Sequence, residues 1–142
     1  MTTAKQILDE KGRDVFALAP GATVFEAIAL MAEKEISAVL IMEDDRLKGI
    51  VTERDYARKV ILAGKASRET PVREVMTAKV LYATPERTVD ECLALMTDIN
   101  ARHLPVLDNG TVTGVLSIGD LVSAKLREQR FLIDQLRDYI TG

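Results

Sequence analysis

An internal repeat constrains the fold of this chain more than any other feature of its sequence. At a shift of 65 positions, residues 15–55 align with residues 80–120 without a gap. Ten of the 41 aligned pairs are identical, which is more than chance gives. A period of this length is too long for a solenoid unit. Two copies therefore predict a pair of similar half-domains related by pseudo-twofold symmetry.

Each copy predicts a β-α-β-β-α unit. Thr23 with Glu26, and Thr88 with Glu91, have the spacing of a capping box, which starts a helix. Apolar residues then recur at helical spacing, so each helix has one buried stripe. The predicted strands are 15–18, 38–42 and 47–51 in the first copy and 80–83, 103–107 and 112–116 in the second, and the closing helices are 52–62 and 117–126. The expected fold class is α/β (α+β).

The repeat also sets the predicted domain organisation. It consists of an N-terminal helix within 1–14, a first repeat at 15–63, a linker at 64–79, a second repeat at 80–127 and a C-terminal helix within 128–142. The C-terminal helix is expected near 130–139, separate from the helix that closes the second repeat. Its apolar residues lie on one side, as in a helix that seals a partner surface: Phe131, Leu132, Leu136 and Tyr139.

Composition excludes several classes of function. A net charge of -3 and a pI near 5.3 argue against nonspecific nucleic-acid binding, which depends on excess Lys and Arg. One Cys and one His cannot supply an internal disulfide or a His/Cys metal cluster. The longest apolar stretch is six residues, and no apolar signal core begins the chain. We therefore expect a cytoplasmic protein with no membrane segment and no required metal.

A short motif occurs once in each copy, at the turn from the last strand into the closing helix. It is a glycine, two apolar residues, a hydroxyl residue, two variable residues and an aspartate, at 49–55 and at 114–120. A helix start favours an anion, a Ser or Thr hydroxyl can donate to phosphate, and an Asp carboxylate accepts from ribose hydroxyls. The motif fits a nucleotide site. A hydroxyl followed three residues later by an acid is also an ordinary helix cap, and both interpretations stay open.

These residues carry a family resemblance over about residues 5–126. The element order, the two motifs, Met76-Thr77 and the strand that starts at Arg102-His103 together resemble a tandem pair of cystathionine β-synthase (CBS) domains, also called a Bateman module. The resemblance implies two repeats packed sheet to sheet, with two clefts that bind adenosine nucleotides such as AMP, ADP, ATP or NAD. It does not distinguish these from S-adenosylmethionine. It also implies a homodimer.

The resemblance assigns site residues position by position. In the first cleft the hydroxyl and the acid are Thr52 and Asp55, and in the second they are Ser117 and Asp120. The residues expected around the two ligands are Val15, Ser37 and Ala38 in the first cleft and Val80, Ala83, His103 and Pro105 in the second, with Thr77 preceding the second repeat.

The two predicted sites differ in charge. Arg54 and Arg58 lie four residues apart beside the first motif, and Gly119 and Ser123 replace them in the second copy. Being four residues apart on one predicted helix, the two arginines share a face and could clamp a phosphate. They could equally pair with nearby acids on a solvated surface. The second site would bind a less charged ligand or use Arg102.

No residue set indicates catalysis. His103 corresponds to Ala38 in the first copy, so a structural or adenine-lining role is favoured over a catalytic one. Cys92 lies on a predicted buried stripe and has no basic sequence neighbour to lower its pKa. No phosphate loop and no dinucleotide-binding fingerprint occur in the sequence.

The leading hypothesis is therefore a non-catalytic regulatory module that senses adenine nucleotides and passes the signal to an unknown protein partner or through oligomerisation. The alternative is a structural dimerisation or interaction module without ligand binding.

Overall fold

The computed structural model describes residues 1–141 and divides the chain into two compact units. The first unit is Val15–Val80, and the second unit combines Met1–Asp14 with Leu81–Gly142. In chain order the elements are α1 (Ala4–Lys11), β1 (Ala17–Leu18), α2 (Val24–Lys34), β2 (Ala38–Glu43), β3 (Arg46–Thr52), α3 (Glu53–Asp55) continuing as a π-helix (Tyr56–Ile61), a 3₁₀ turn (Val72–Glu74), α4 (Val89–Ile99), β4 (His103–Asp108), β5 (Thr111–Ser117) and α5 (Ile118–Thr141).

The first unit contains a three-stranded sheet in the order β1-β2-β3. β1 runs parallel to β2, and β2 runs antiparallel to β3. The β2–β3 turn places Asp44 and Asp45 at positive φ, 52° and 61°, which suits a two-residue hairpin loop. A core of buried aliphatic side chains from α2, both longer strands and the 3₁₀ turn includes Val24, Met31, Ile41, Val51 and Val72.

The second unit contains an antiparallel pair, β4-β5, whose tight turn uses Asn109 and Gly110 at positive φ. The N-terminal helix α1 belongs to this unit. Its Ala4 and Leu8 are fully buried and join a core that α4, both strands and α5 also line. The Ala4 N–H donates to the carbonyl of Arg87 at 2.8 Å, which ties α1 to the chain just before α4.

The capping boxes predicted from the sequence are confirmed. The Thr23 side chain accepts from the Glu26 N–H at 3.2 Å while the Glu26 carboxylate accepts from the Thr23 N–H at 3.1 Å. Thr88 and Glu91 repeat both bonds at the start of α4. Each pair satisfies two N–H groups that a helix start otherwise leaves without partners, which explains why α2 and α4 begin where they do.

Two predicted strands and two predicted helices differ from the structure. The strand expected over 15–18 is only β1, and the strand expected over 80–83 is a single parallel bridge between Ala83 and Val106. The two helices expected over 117–126 and 130–139 are one continuous helix, α5. Arg127, Glu128 and Gln129 all have high helix propensity, so nothing interrupts the helix between them.

Among residues 1–141, no helix combines the length and the apolar character needed to cross a membrane.

Candidate functional site

The two repeated motifs form two loops with the same local structure. Each motif runs from the end of a strand into the first turn of a helix. We call this strand-to-helix turn the first loop at Gly49–Asp55 and the second loop at Gly114–Asp120. The strand that enters each loop pairs with its neighbour in the same register, Ala38 opposite Thr52 and His103 opposite Ser117.

The first residue of the following helix is also held in the same way in both units. The Glu53 N–H donates to the Ser37 carbonyl at 3.1 Å, and the Ile118 N–H donates to the Arg102 carbonyl at 2.9 Å. The duplication seen in the sequence is therefore preserved at this turn, and the backbone of Ser37 and of Arg102 lies beside the two loops.

In the first loop, Thr52 and Asp55 form a capping box. The Thr52 N–H donates to Asp55 Oδ2 at 2.9 Å, and the Asp55 N–H donates to Thr52 Oγ1 at 3.1 Å. The Thr52 hydroxyl also lies 3.1 Å from Asp55 Oδ2. The helix-capping interpretation is thus realised here. Asp55 Oδ2 accepts from the backbone N–H and the hydroxyl of Thr52, and the Asp55 side chain is 13% exposed.

The second loop repeats this arrangement with Ser117 and Asp120. The Ser117 N–H donates to Asp120 Oδ2 at 2.8 Å, and the Asp120 N–H donates to Ser117 Oγ at 3.1 Å. The Asp120 side chain is 24% exposed. Each loop therefore holds a carboxylate in a fixed orientation at the start of a helix, with a minor part of the side chain exposed.

The motif glycines have a packing role. A Cβ on Gly49 would lie 2.9 Å from the carbonyl oxygen of Thr77, and a Cβ on Gly114 would lie 2.6 Å from Leu8 Cδ2. Thr77 exchanges two backbone hydrogen bonds with Ile50, at 3.1 and 2.9 Å. The glycines thus let a neighbouring segment of the same unit approach each loop closely, and this places Thr77 beside the first loop.

A lysine contacts the aspartate in each loop. Lys59 Nζ lies 3.1 Å from Asp55 Oδ1 and donates to the Val75 carbonyl. Lys11 Nζ, at the end of α1, lies 2.6 Å from Asp120 Oδ2 and donates to the Val115 carbonyl at 2.7 Å. Sequence reasoning did not assign either lysine to a site. Lys11 is separated from Asp120 by 109 positions and has no counterpart in the motif, so only the folded second unit identifies it.

These contacts shift the pKa values of two side chains at the second loop, Asp120 and His103. Burial alone would raise the pKa of Asp120, but the bonds from Lys11 and from Ser117 outweigh it and lower that pKa below its usual value. His103 also has a lowered pKa, because it is largely buried and close to Lys11, although Asp120 acts in the opposite direction. A neutral His103 and an ionised Asp120 are the expected states near neutral pH.

The first loop has more cationic side chains nearby. Arg54 and Arg58 are exposed, and within the described residues neither forms an ion pair. The pairing with nearby acids considered from the sequence is therefore not seen. The segment from Tyr56 to Ile61 is a π-helix, so the α-helical spacing assumed for the two arginines does not hold between them.

The remaining predicted residues are Ala83, Pro105, Val15 and Val80. Ala83 and Pro105 lie together, since the Ala83 N–H donates to the Pro105 carbonyl at 2.9 Å, but both side chains are buried. Val15 is half-buried just before β1. Val80, which was expected beside the second motif, is the last residue of the first unit and so belongs to a different unit from Ser117.

Cys92 is fully buried on α4, and burial raises its pKa to about 11, with the nearby Glu91 carboxylate adding to the effect.

Across residues 1–141, no three His, Cys, Asp or Glu side chains are grouped so that they could hold a metal ion.

Comparison with known proteins identifies the family. The family model for the CBS domain matches twice, at residues 5–61 and 72–127. The mitochondrial CBS domain-containing protein CBSX3 of Arabidopsis thaliana is 35% identical over 99% of this chain and 73% of its own length.

Solved structures of similar fold also belong to CBS-domain proteins. A proposed signal-transduction protein with CBS domains from Burkholderia ambifaria is 51% identical, with a TM-score of 0.87 over 90% of this chain and 96% of that one. The CBS-domain protein ATU1752 from Agrobacterium tumefaciens is 38% identical, with a TM-score of 0.82 over 87% of this chain and 93% of that one. None of these matches indicates an enzyme family. The two matched segments and the duplicated loops show that this chain belongs to the CBS domain family, as a tandem pair of CBS repeats with a regulatory role.

Proposed function

We propose that the chain is a non-catalytic sensor of adenosine nucleotides that uses the first and second loops as its ligand-binding elements. The observation that carries the proposal is the duplicated carboxylate: Asp55 and Asp120 are held by the same pair of cap bonds in two units and are each partly exposed. A fixed carboxylate is an acceptor suited to the paired hydroxyls of a ribose.

Charge suggests different ligands for the two loops. Arg54 lies in the first loop, and Arg58 and Lys59 follow it within four residues, so the loop suits a ligand with several phosphate groups such as ADP or ATP. The second loop has Lys11 across its carboxylate and offers Arg102 as a further cation, so it suits AMP or NAD. Ligand binding regulates only if the bound state differs in affinity for a partner, which here is another protein or a second copy in a homodimer.

Titration calorimetry with AMP, ADP, ATP and NAD tests the proposal, with Asp55→Ala and Asp120→Ala as the variants. Each substitution should remove one binding event. Both also remove a capping box, which costs about 1 kcal/mol of stability by itself. Glu26→Ala and Glu91→Ala are matched controls, since each removes a capping box from the same unit at a distance from the loop in sequence.

The control variants should keep wild-type affinities. If no nucleotide binds below millimolar concentration, the sensor proposal is refuted. The alternative, a structural dimerisation or interaction module without ligand binding, then remains. Binding that neither aspartate affects refutes the assignment of the two loops. Chromatography of the incubated mixture tests the non-catalytic part, because turnover of the nucleotide contradicts it.

A further inference from the structure

A side chain from α1 takes up part of the acceptor capacity of the second loop. Lys11 Nζ donates to Asp120 Oδ2 at 2.6 Å and to the Val115 carbonyl at 2.7 Å. The same Asp120 oxygen accepts from the Ser117 N–H at 2.8 Å, as part of the helix cap. A carboxylate oxygen has about two lone-pair positions, so these two donors fill Oδ2. The paired hydroxyls of a ribose supply one donor for each carboxylate oxygen, and the donor to Oδ2 has to displace Lys11.

The packing of α1 holds Lys11 at the second loop. Lys11 is the last residue of α1, and the Gly12 N–H closes the helix by donating to the Leu8 carbonyl at 2.8 Å. Leu8 is fully buried and lies where a side chain on Gly114 would be, at the start of the second loop. The Lys11 side chain is 36% exposed, so its ammonium group can leave Asp120 for water while the buried face of α1 stays in place.

The lysine at the first loop has a different origin. Lys59 Nζ lies 3.1 Å from Asp55 Oδ1 and belongs to the helical segment that the first loop itself begins. Its counterpart in the second copy, 65 positions later, is Ala124, which is buried in the core. The second loop takes its lysine from α1 instead, a segment outside the repeat. The contact at the second loop therefore joins the motif to a separate helix.

We propose that Lys11 competes with the nucleotide for Asp120, so that nucleotide binding at the second loop is coupled to the contact between that loop and α1. This proposal rests on the proposed function of the second loop. A ribose that binds Asp120 releases the Lys11 ammonium group. By linkage, release of Lys11 raises the affinity of the loop for the nucleotide by the same factor.

The competition should lower the affinity of the second loop about sixfold, which corresponds to about 1 kcal/mol, the strength of a partly exposed ion pair. Lys11 is then away from Asp120 in roughly one molecule in six, and the apparent affinity is reduced by that fraction. Simple attraction between a lysine and a phosphate acts in the opposite direction, because loss of a nearby cation weakens the binding of an anion. The sign of the change therefore separates the two roles.

Titration calorimetry with AMP tests the proposal on chains that all carry Asp55→Ala, so that the second loop is the site measured. Lys11→Met removes the ammonium group and should bind AMP about sixfold more tightly than the chain with Lys11. Lys11→Arg keeps a cationic donor for Asp120 and should keep the lower affinity. Lys5→Met removes the same charge from an exposed position on α1 and should also leave the affinity unchanged. Circular dichroism verifies that each variant is folded.

Thermal unfolding gives a reciprocal measurement on chains that keep Asp55. Without AMP, Lys11→Met should unfold at a lower temperature than the wild type, because it lacks the contact to Asp120. With saturating AMP this Tm difference should shrink towards zero, because the nucleotide has already displaced Lys11 and binds the variant more tightly.

An AMP affinity of Lys11→Met equal to that of the chain with Lys11 overturns the proposal. A lower affinity also overturns it and identifies Lys11 as a contact to the phosphate. If neither chain binds AMP below millimolar concentration, the proposed function of the second loop is refuted, and the competition with it. If the chain with Lys11 binds AMP and Asp120→Ala abolishes that binding, the proposed function stands, and the result for Lys11→Met decides the competition alone.

Discussion

Replacing Lys11 by Met tests whether the second unit depends on its N-terminal helix for more than apolar packing. The substitution keeps the aliphatic stem and removes the ammonium group, which donates to Asp120 and to the Val115 carbonyl. Exposed ion pairs contribute about 0.2–1 kcal/mol, and hydrogen bonds to charged groups about 1.5–3 kcal/mol. The Lys11 and Asp120 side chains are 36% and 24% exposed, between these cases. We expect a loss of about 1 kcal/mol.

Thermal unfolding followed by circular dichroism measures this loss. For a chain of this length 1 kcal/mol lowers the Tm by about 4 °C. The pKa of Asp120 is lowered in the folded state, so the stability it confers is present above the unfolded pKa and is lost as the pH falls through the folded pKa. The Tm difference between wild type and Lys11→Met should therefore be constant from pH 7 to pH 5 and shrink below about pH 4.

Lys5→Met is the matched control, because Lys5 is exposed on the same helix and forms no ion pair within the described residues. It should unfold at the wild-type temperature. The reasoning is refuted if Lys11→Met also unfolds at that temperature at pH 7, or if its Tm difference from the wild type is the same at pH 3 as at pH 7.

Three further substitutions and modifications have defined outcomes. Cys92, with a pKa of about 11, should react with a thiol reagent at pH 8 about 100-fold more slowly than an exposed cysteine and at the ordinary rate in denaturant; fast labelling of the native protein contradicts its burial. Gly49→Ala should lose about 1–3 kcal/mol in urea unfolding, because its Cβ meets a backbone carbonyl, whereas Gly21→Ala meets nothing closer than 3.9 Å and should be nearly neutral. Thr88→Ala should lose about 1 kcal/mol through its lost cap, and an unchanged urea midpoint would count against that cap.

The sequence predicted the elements whose signals are local. The helix starts at Thr23 and Thr88 followed from two residues three positions apart, and the structure has both caps. The apolar runs at 38–42 and 103–107 became β2 and β4 with an error of one residue at their ends. Such features are determined by neighbouring residues, so one sequence suffices to find them.

Features that depend on tertiary contacts were missed. The contact between Lys11 and Asp120 joins residues 109 positions apart and has no periodic signature. The break expected between 126 and 130 came from the end of the repeat, but helix propensity continues through that segment and α5 is unbroken. The π-helix that follows Asp55 differs from an α-helix only in its backbone bonds, such as the Leu62 N–H to the Ala57 carbonyl, which residue types do not reveal.

The second unit is discontinuous in sequence, and this has a consequence for the order in which the chain folds during synthesis. α1 leaves the ribosome before the rest of the second unit, but Leu8 packs against Gly114, and the core it joins includes Leu116 and Leu121. The whole first unit is synthesised before these partners exist, and domains generally fold as units during synthesis. The first unit can therefore fold while α1 still exposes Ile7 and Leu8, and the second unit closes later, when the segment after Val80 joins α1.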